Sequence, residues 1–232
     1  MNSIFQLIAR HRVLASTIFL AIFPFIMPYE ALAINILIFG LFAMGFNLLF
    51  GYMGLLSFGH AAFLGIGSYL TGISIVHFGL PWGIAIFTGV IGAAIGGFIM
   101  GFLAIRTRGI YFSMVTLALG QIVYYIFYKA ESLTGGENGL RGVRVDPFNI
   151  FGVPVDFLNP IVKYYIILFF VVLAIWLISR ILNSPLGAVM EAIRENEKRA
   201  AACGFDVAKT KLLVFVLSAG ICGLAGSLRA LH

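Results

Sequence analysis

The side chains able to do chemistry in this chain gather in two places. The first is Asn47 followed by GYMGLLSFGHAAFLGIGSY, Gly51–Tyr69, where glycines at 51, 54, 59, 65 and 67 flank Ser57 and His60. His60 carries the ring that titrates near neutral pH, although a lone histidine at a helix start also serves as a hydrogen-bonded structural residue. The second begins at Ser184, where Glu191, Arg194, Glu195, Glu197, Lys198, Arg199, Asp206, Lys209 and Lys211 are crowded together. Neither place has a nucleophile beside a base, an HExxH pair or a GxxxxGK[ST] phosphate loop. No catalytic residue and no metal ligand is therefore assigned. Cys203 and Cys222 fall at different depths and make neither a disulfide nor a metal site.

The elements that must position these groups are membrane helices. Hydrophobic residues make up 61% of the 232-residue chain and charged ones 10%, with 23 Phe, and the mean hydropathy is +1.05. A water-facing surface needs roughly a quarter charged residues. Apolar runs near the ~20 residues that cross a bilayer core lie at 13–29, 33–50, 61–78, 82–105, 110–128, 161–182 and 211–231. The expected fold is an all-α polytopic transmembrane bundle of seven spans, one domain over 1–232, with an external loop at 129–160 and a charged cytoplasmic region at 184–210.

Orientation follows from the basic residues, which resist translocation. Arg10 and Arg12 precede the first span, Arg106 and Arg108 follow the fourth, and the Ser184 region follows the sixth. That side is the cytoplasm, with the N-terminus on it. The net charge of +6 is a topology signal, and no nucleic-acid partner is assigned. Arg10–Arg12, an apolar run and Ala31-Leu32-Ala33 imitate a cleavable leader, but Pro24, Pro28 and the span that follows fit an uncleaved first helix.

Small residues let helices approach closely in lipid. Gly92 with Gly96 and Gly97 with Gly101 repeat at that spacing in the fourth span, and Gly220, Gly223 and Gly226 recur in the last. The denser Gly51–Tyr69 run predicts interrupted backbone, a feature that lines transport paths. Candidate path residues are Asn47, Gly51, Gly54, Ser57, Gly59 and His60, with Thr116 and Gln121 of the fifth span. The polar ones should face the bundle interior, either for interhelical hydrogen bonds or for solute. No acid falls centrally in a span, which argues against an ion-coupled carrier.

Ser184-Pro185 suits a helix start, with serine at the cap and proline in the first turn. The helix should run to about Cys203, with Glu195 supporting Arg199 four residues on and Gly204 as the stop. Leu186, Val189, Met190, Ile193 and Ala200 form one apolar stripe. Such a helix could lie on the membrane surface or project into a groove on a partner.

At these residues the chain resembles a known family. SPLGAVMEAIRENEKRAAACGFDVAKTKLLVFVLSAGICGLAGSL is similar to the coupling region and following helix of branched-chain amino acid ABC transporter permeases, the LivM-like family. GYMGLLSFGHAAFLGIGSYL, RTRGIYFSMVTLALGQI and TGGENGL match family patterns in the expected order. The resemblance implies an inner-membrane permease subunit surrounded by membrane lipid. Its partners would be a second, LivH-like permease, two cytoplasmic ATPases that hold ATP and Mg, and a periplasmic solute-binding protein. Glu191, Ala192, Ile193, Arg194, Glu195, Asn196, Glu197, Arg199, Ala200 and Gly204 match the coupling pattern and would dock the ATPase. Thr134, Gly135, Gly136, Asn138 and Gly139 in the external loop would contact the binding protein, shape the outer mouth or form a glycine-rich turn. Branched-chain amino acids are the default solute, with urea or small amides as alternatives. An ATP-independent transporter or channel and an intramembrane enzyme built on His60 are the other classes. Family members usually continue past the GLAGSL helix, so a shortened permease is expected.

Overall fold

The computed structural model describes residues 20–21, 23–24, 29–143, 148–150, 153–155 and 159–232. Its bundle is α1 (Glu30–Met53), α2 (Ala61–Val76), α3 (Trp82–Ala104), α4 (Ile110–Lys129), α5 (Pro160–Leu182), α6 (Pro185–Glu195), α7 (Glu197–Ala202) and α8 (Val207–Ala230). Between α4 and α5 come a single helical turn, Glu131–Thr134, a 3-10 turn, Gly136–Asn138, and a short antiparallel hairpin of β1 (Phe148–Ile150) and β2 (Val153–Val155). The bundle is all-α, and the two short strands lie in the expected external loop.

Five helices, α1, α3, α4, α5 and α8, are long and apolar enough to cross a membrane among the described residues. Of the seven expected spans, one is corrected and one falls mostly outside the described residues. The span expected at 13–29 lies outside the described residues except for five positions. The one expected at 61–78 forms the 16-residue α2, about 24 Å long at 1.5 Å per residue, short of a ~30 Å core. The helix begins at Ala61 as expected and stops two residues early, where Gly79 takes a left-handed conformation (φ 60°) ahead of Pro81, while Gly54 (φ 74°) ends α1 and leaves residues 54–57 non-helical.

α8 is the axis of the bundle, packed against α3, α2 and α1. Its Gly223 lies against the backbone of Gly67 on one side and Ala93 on the other, and Gly226 lies against the Leu64 carbonyl. Lipid offers helices no hydrophobic reason to associate, so this close backbone contact is what holds them. Gly97 and Gly101 meet Ala219 and Phe215 of α8, whereas Gly92 and Gly96 accept Leu70 and Ile66 of α2.

The core divides into two clusters. One joins α1, α5 and the end of α8 through Ile34, Ile38, Tyr164, Ile167 and Leu228. The other gathers Leu48, Phe63, Met100, Phe112 and Phe215 and continues into Met190, Ile193 and Ala200. The apolar stripe of the charged region is therefore part of the bundle core.

Candidate functional site

After Gly54 the chain turns inward, and α4 closes over it. Gly59 packs directly on the Thr116 carbonyl, and Gly120 lies 3.1 Å from Gly59 Cα at its would-be Cβ. Thr116 is six residues into α4, about 9 Å along the helix, so the interrupted segment reaches well into the bundle. Its freed backbone groups are taken up by hydroxyls: Ser113 Oγ donates to the Leu56 carbonyl (2.6 Å), and the Phe58 N–H donates to Thr116 Oγ1 (3.2 Å). Thr116 thus faces inward as expected. Ser113, its partner in the same task, lies in the RTRGIYFSMVTLALGQI motif but is not among the candidate path residues.

His60 is buried at the start of α2. Ser218 Oγ donates to the Gly45 carbonyl (2.6 Å), which leaves the His60 Nε2–H to donate to that Oγ (2.9 Å). Phe46, Phe63 and Phe215 meet the imidazole edge-on, with ring centroids 5.2 to 5.5 Å away. This is the hydrogen-bonded structural arrangement, joining α1, α2 and α8. Ser57 Oγ and His60 Nδ1 are the two buried side-chain polar atoms left without a hydrogen bond among the described residues. Both belong to the interrupted segment.

Above the segment, between α2 and α4, opens a cleft of about 570 Å³. Phe58 and Gly59 form its floor, Gly65 and Tyr69 one wall, Gln121 and Phe127 the other, and Glu137 contributes from the external loop. Tyr69 stacks on Phe127 at 5.0 Å. Gln121 is exposed and lines this cleft. Asn47, by contrast, is exposed on the face of α1 that carries Ile36, Ala43 and Phe50, away from the cleft. The expectation that both amides face the bundle interior is corrected, because α1 turns Gly45, Leu48 and Leu49 inward and its helical phase puts Asn47 outside.

The TGGENGL motif folds onto the end of α4. Thr134 Oγ1 donates to the Phe127 (2.6 Å) and Ala130 (2.9 Å) carbonyls and accepts from the Gly136 N–H (3.3 Å). Gly135, Gly136 and Gly139 have φ of 76°, 56° and 68°, values that favour glycine. Asn138 is exposed on this turn. Gly136 and Glu137 meet the cleft.

The charged region lies at the other end of the bundle. Gly204 (φ 90°) stops it as expected, but two details differ. Ser184 donates its hydroxyl to the Ile181 carbonyl (2.6 Å) and does not cap the next helix. The helix also breaks at Asn196 (φ −157°, ψ 102°), whose side chain accepts from the Arg199 N–H (3.0 Å) and caps α7. Glu195 and Arg199 are consequently on separate helices, and the expected i,i+4 support is absent. The asparagine side chain competes for backbone donors and restarts the helix.

Met190, Ile193 and Ala200 face the core, while Glu191, Ala192, Arg194, Glu195, Asn196 and Arg199 are exposed. Two polar ties fix the region to the spans. Arg194 Nη1 donates to the Gly51 carbonyl in the last turn of α1, where a cation meets the negative end of the helix, and its Cγ lies 3.2 Å from where a Gly54 Cβ would stand. Glu197 pairs with Lys211 of α8 at 2.8 Å and with Arg108 of the α3–α4 loop at 3.6 Å. Gly51 and Gly54 therefore meet the charged region, whereas Gly59 and Gln121 share the cleft.

The two Glu197 pairs should differ in strength. Lys211 is 7% exposed and Arg108 73%. Glu197→Gln strands a buried ammonium and should cost about 3 kcal/mol, whereas Arg108→Ala removes a solvated pair worth less than about 1 kcal/mol. Thermal unfolding in detergent should show a clear fall for the first variant and little for the second.

The family described as branched-chain amino acid transport system / permease component matches residues 29–232. The high-affinity branched-chain amino acid transport system permease protein LivM of Salmonella typhimurium is 34% identical over 214 residues, 84% of this chain and 50% of that one. The protein of that name from Escherichia coli is 32% identical over 213 residues, with the same shares of 84% and 50%. A probable branched-chain amino acid transport permease protein LivM of Methanocaldococcus jannaschii is 25% identical over 242 residues, 89% of this chain and 69% of that one. The chain thus spans about half the length of the two bacterial relatives. No solved structure matches it. A match from residue 29 to 232, with relatives above 30% identity carrying the same description, means that the chain belongs to the LivM-like family of branched-chain amino acid transport permeases.

Proposed function

We propose that this chain is a permease subunit of an ABC importer that carries branched-chain amino acids across a bacterial inner membrane. ATP and Mg act on two cytoplasmic ATPase subunits, and this chain contributes docking and leverage without bond-breaking chemistry. A LivH-like second permease and a periplasmic solute-binding protein complete the assembly, and the N-terminus is cytoplasmic. The exposed amide of Asn47 supports a partner helix on that face of α1, since an unpaired amide in lipid is costly.

The observation that carries the reading is the seating of α6 and α7. Their apolar stripe is buried in the bundle, Glu191, Glu195 and Arg199 are exposed, and Arg194 grips the end of α1 beside the Gly54 turn. A partner that moves the exposed face moves Gly51, and with it the segment that floors the cleft. The floor is held to α4 by the Ser113 and Thr116 hydrogen bonds, each worth about 1 kcal/mol net, so a modest pull can rearrange it. The aromatic cleft favours apolar amino acids over urea.

The docking role is testable at exposed positions. The double substitution Glu191→Lys, Glu195→Lys should reduce recovery of the ATPase with the tagged permease at least about 10-fold, the effect of ~1.4 kcal/mol, while membrane insertion is unchanged. Undiminished co-purification would count against docking at α6.

A further inference from the structure

We propose that the cleft between α2 and α4 is a binding station for an amino acid with an apolar side chain, its ammonium at Glu137 and its side chain against Phe58 and the stacked Tyr69–Phe127 pair. The solute class rests on the importer reading; the position comes from the cleft itself. Its volume of about 570 Å³ falls in the roughly 300–1,000 Å³ range of small-molecule sites. Such sites combine apolar walls with a few polar groups that fix orientation, and the lining here follows that division. Phe58, Tyr69 and Phe127 supply aromatic surface, and Gln121 and Glu137 supply an amide and a carboxylate.

Glu137 is exposed and makes no ion pair among the described residues. A carboxylate at the external end attracts an ammonium and disfavours a solute that carries only a carboxylate. The Gln121 amide can donate to the carboxylate of the same zwitterion. At Gly65 the wall is bare, with nothing within 4 Å of a would-be Cβ, which leaves room for a branched side chain. The floor at Phe58 and Gly59 continues back to Gly54 and the Arg194 contact. A solute resting on that floor lies against the segment that α6 can move.

Tritiated leucine binding to the full chain in lipid nanodiscs tests this, with 4-methylpentanoate, which is leucine without its ammonium, as competitor. The wild type should bind leucine saturably and the competitor at least about 10-fold more weakly. Glu137→Gln should lower leucine affinity about 10-fold and remove that preference. Gly65→Leu, which grows a side chain into open space, should abolish binding while the protein elutes as wild type. Absence of saturable leucine binding in the wild type, as when lipid chains occupy the cleft, would overturn the proposal. Wild-type affinity in both variants would overturn it as well. The importer reading fails separately: ATP-driven uptake that survives Gly65→Leu removes the station alone, and uptake that needs no ATP removes the importer alone.

Discussion

Gly223→Leu is expected to prevent assembly of the bundle, whereas Gly220→Leu, one turn earlier on the same helix, is expected to be tolerated. Gly223 stands where three helices converge: a Cβ there would overlap Ala93 of α3 and approach the Gly89 carbonyl, and the Gly67 backbone of α2 packs on its other side. Two of these neighbours are backbone, which cannot rotate away. Overpacking a soluble core costs about 1–3 kcal/mol when side chains can shift, and separating whole helices costs more because their association rests on that contact. At Gly220 nothing lies within 4 Å of the new Cβ, and leucine raises helix propensity by up to about 1 kcal/mol. Size-exclusion profiles of the two variants should therefore differ sharply, with Gly223→Leu aggregated or degraded and Gly220→Leu eluting as wild type.

Much of this organisation can be read in the chain, and the failures have physical causes. Helix positions follow from apolar run length, and the break after Met53 follows from glycine density, because both signals are local. The stripe Met190, Ile193 and Ala200 is legible because α6 and α7 are amphipathic. The faces of α1 are not legible in that way. A helix apolar all round gives no phase, so nothing marked Asn47 as outward-facing. The break at Asn196 has a local signal, an asparagine followed by Glu197 in the first turn of α7, which is an N-cap pattern. The Arg194–Gly51, Glu197–Lys211 and His60–Ser218 contacts join residues from 14 to 158 positions apart. They arise from packing, and spacing along the chain does not encode them.

Arg194→Ala is the second large expected effect, and it should separate assembly from work. The side chain is exposed and contributes little to the core, so the bundle should fold and α6 should still present Glu191 and Glu195 to the proposed ATPase. What disappears is the grip on the Gly51 carbonyl. A charge-assisted hydrogen bond is worth roughly 1.5–3 kcal/mol, so solute moved per ATP should fall about 10- to 100-fold while ATP hydrolysis continues. Arg194→Lys keeps a cation at the helix end but loses the planar fork, and it should restore part of the coupling.

Leucine uptake into proteoliposomes that hold the complete importer, with ATP and Mg supplied on the ATPase side and hydrolysis followed in parallel, tests the leverage most directly. Wild-type permease should accumulate leucine only with ATP, and the Arg194→Ala complex should hydrolyse ATP while transporting far less. Leucine accumulation at the same rate with ATP omitted would contradict the claim that this chain moves solute by leverage from α6 and α7.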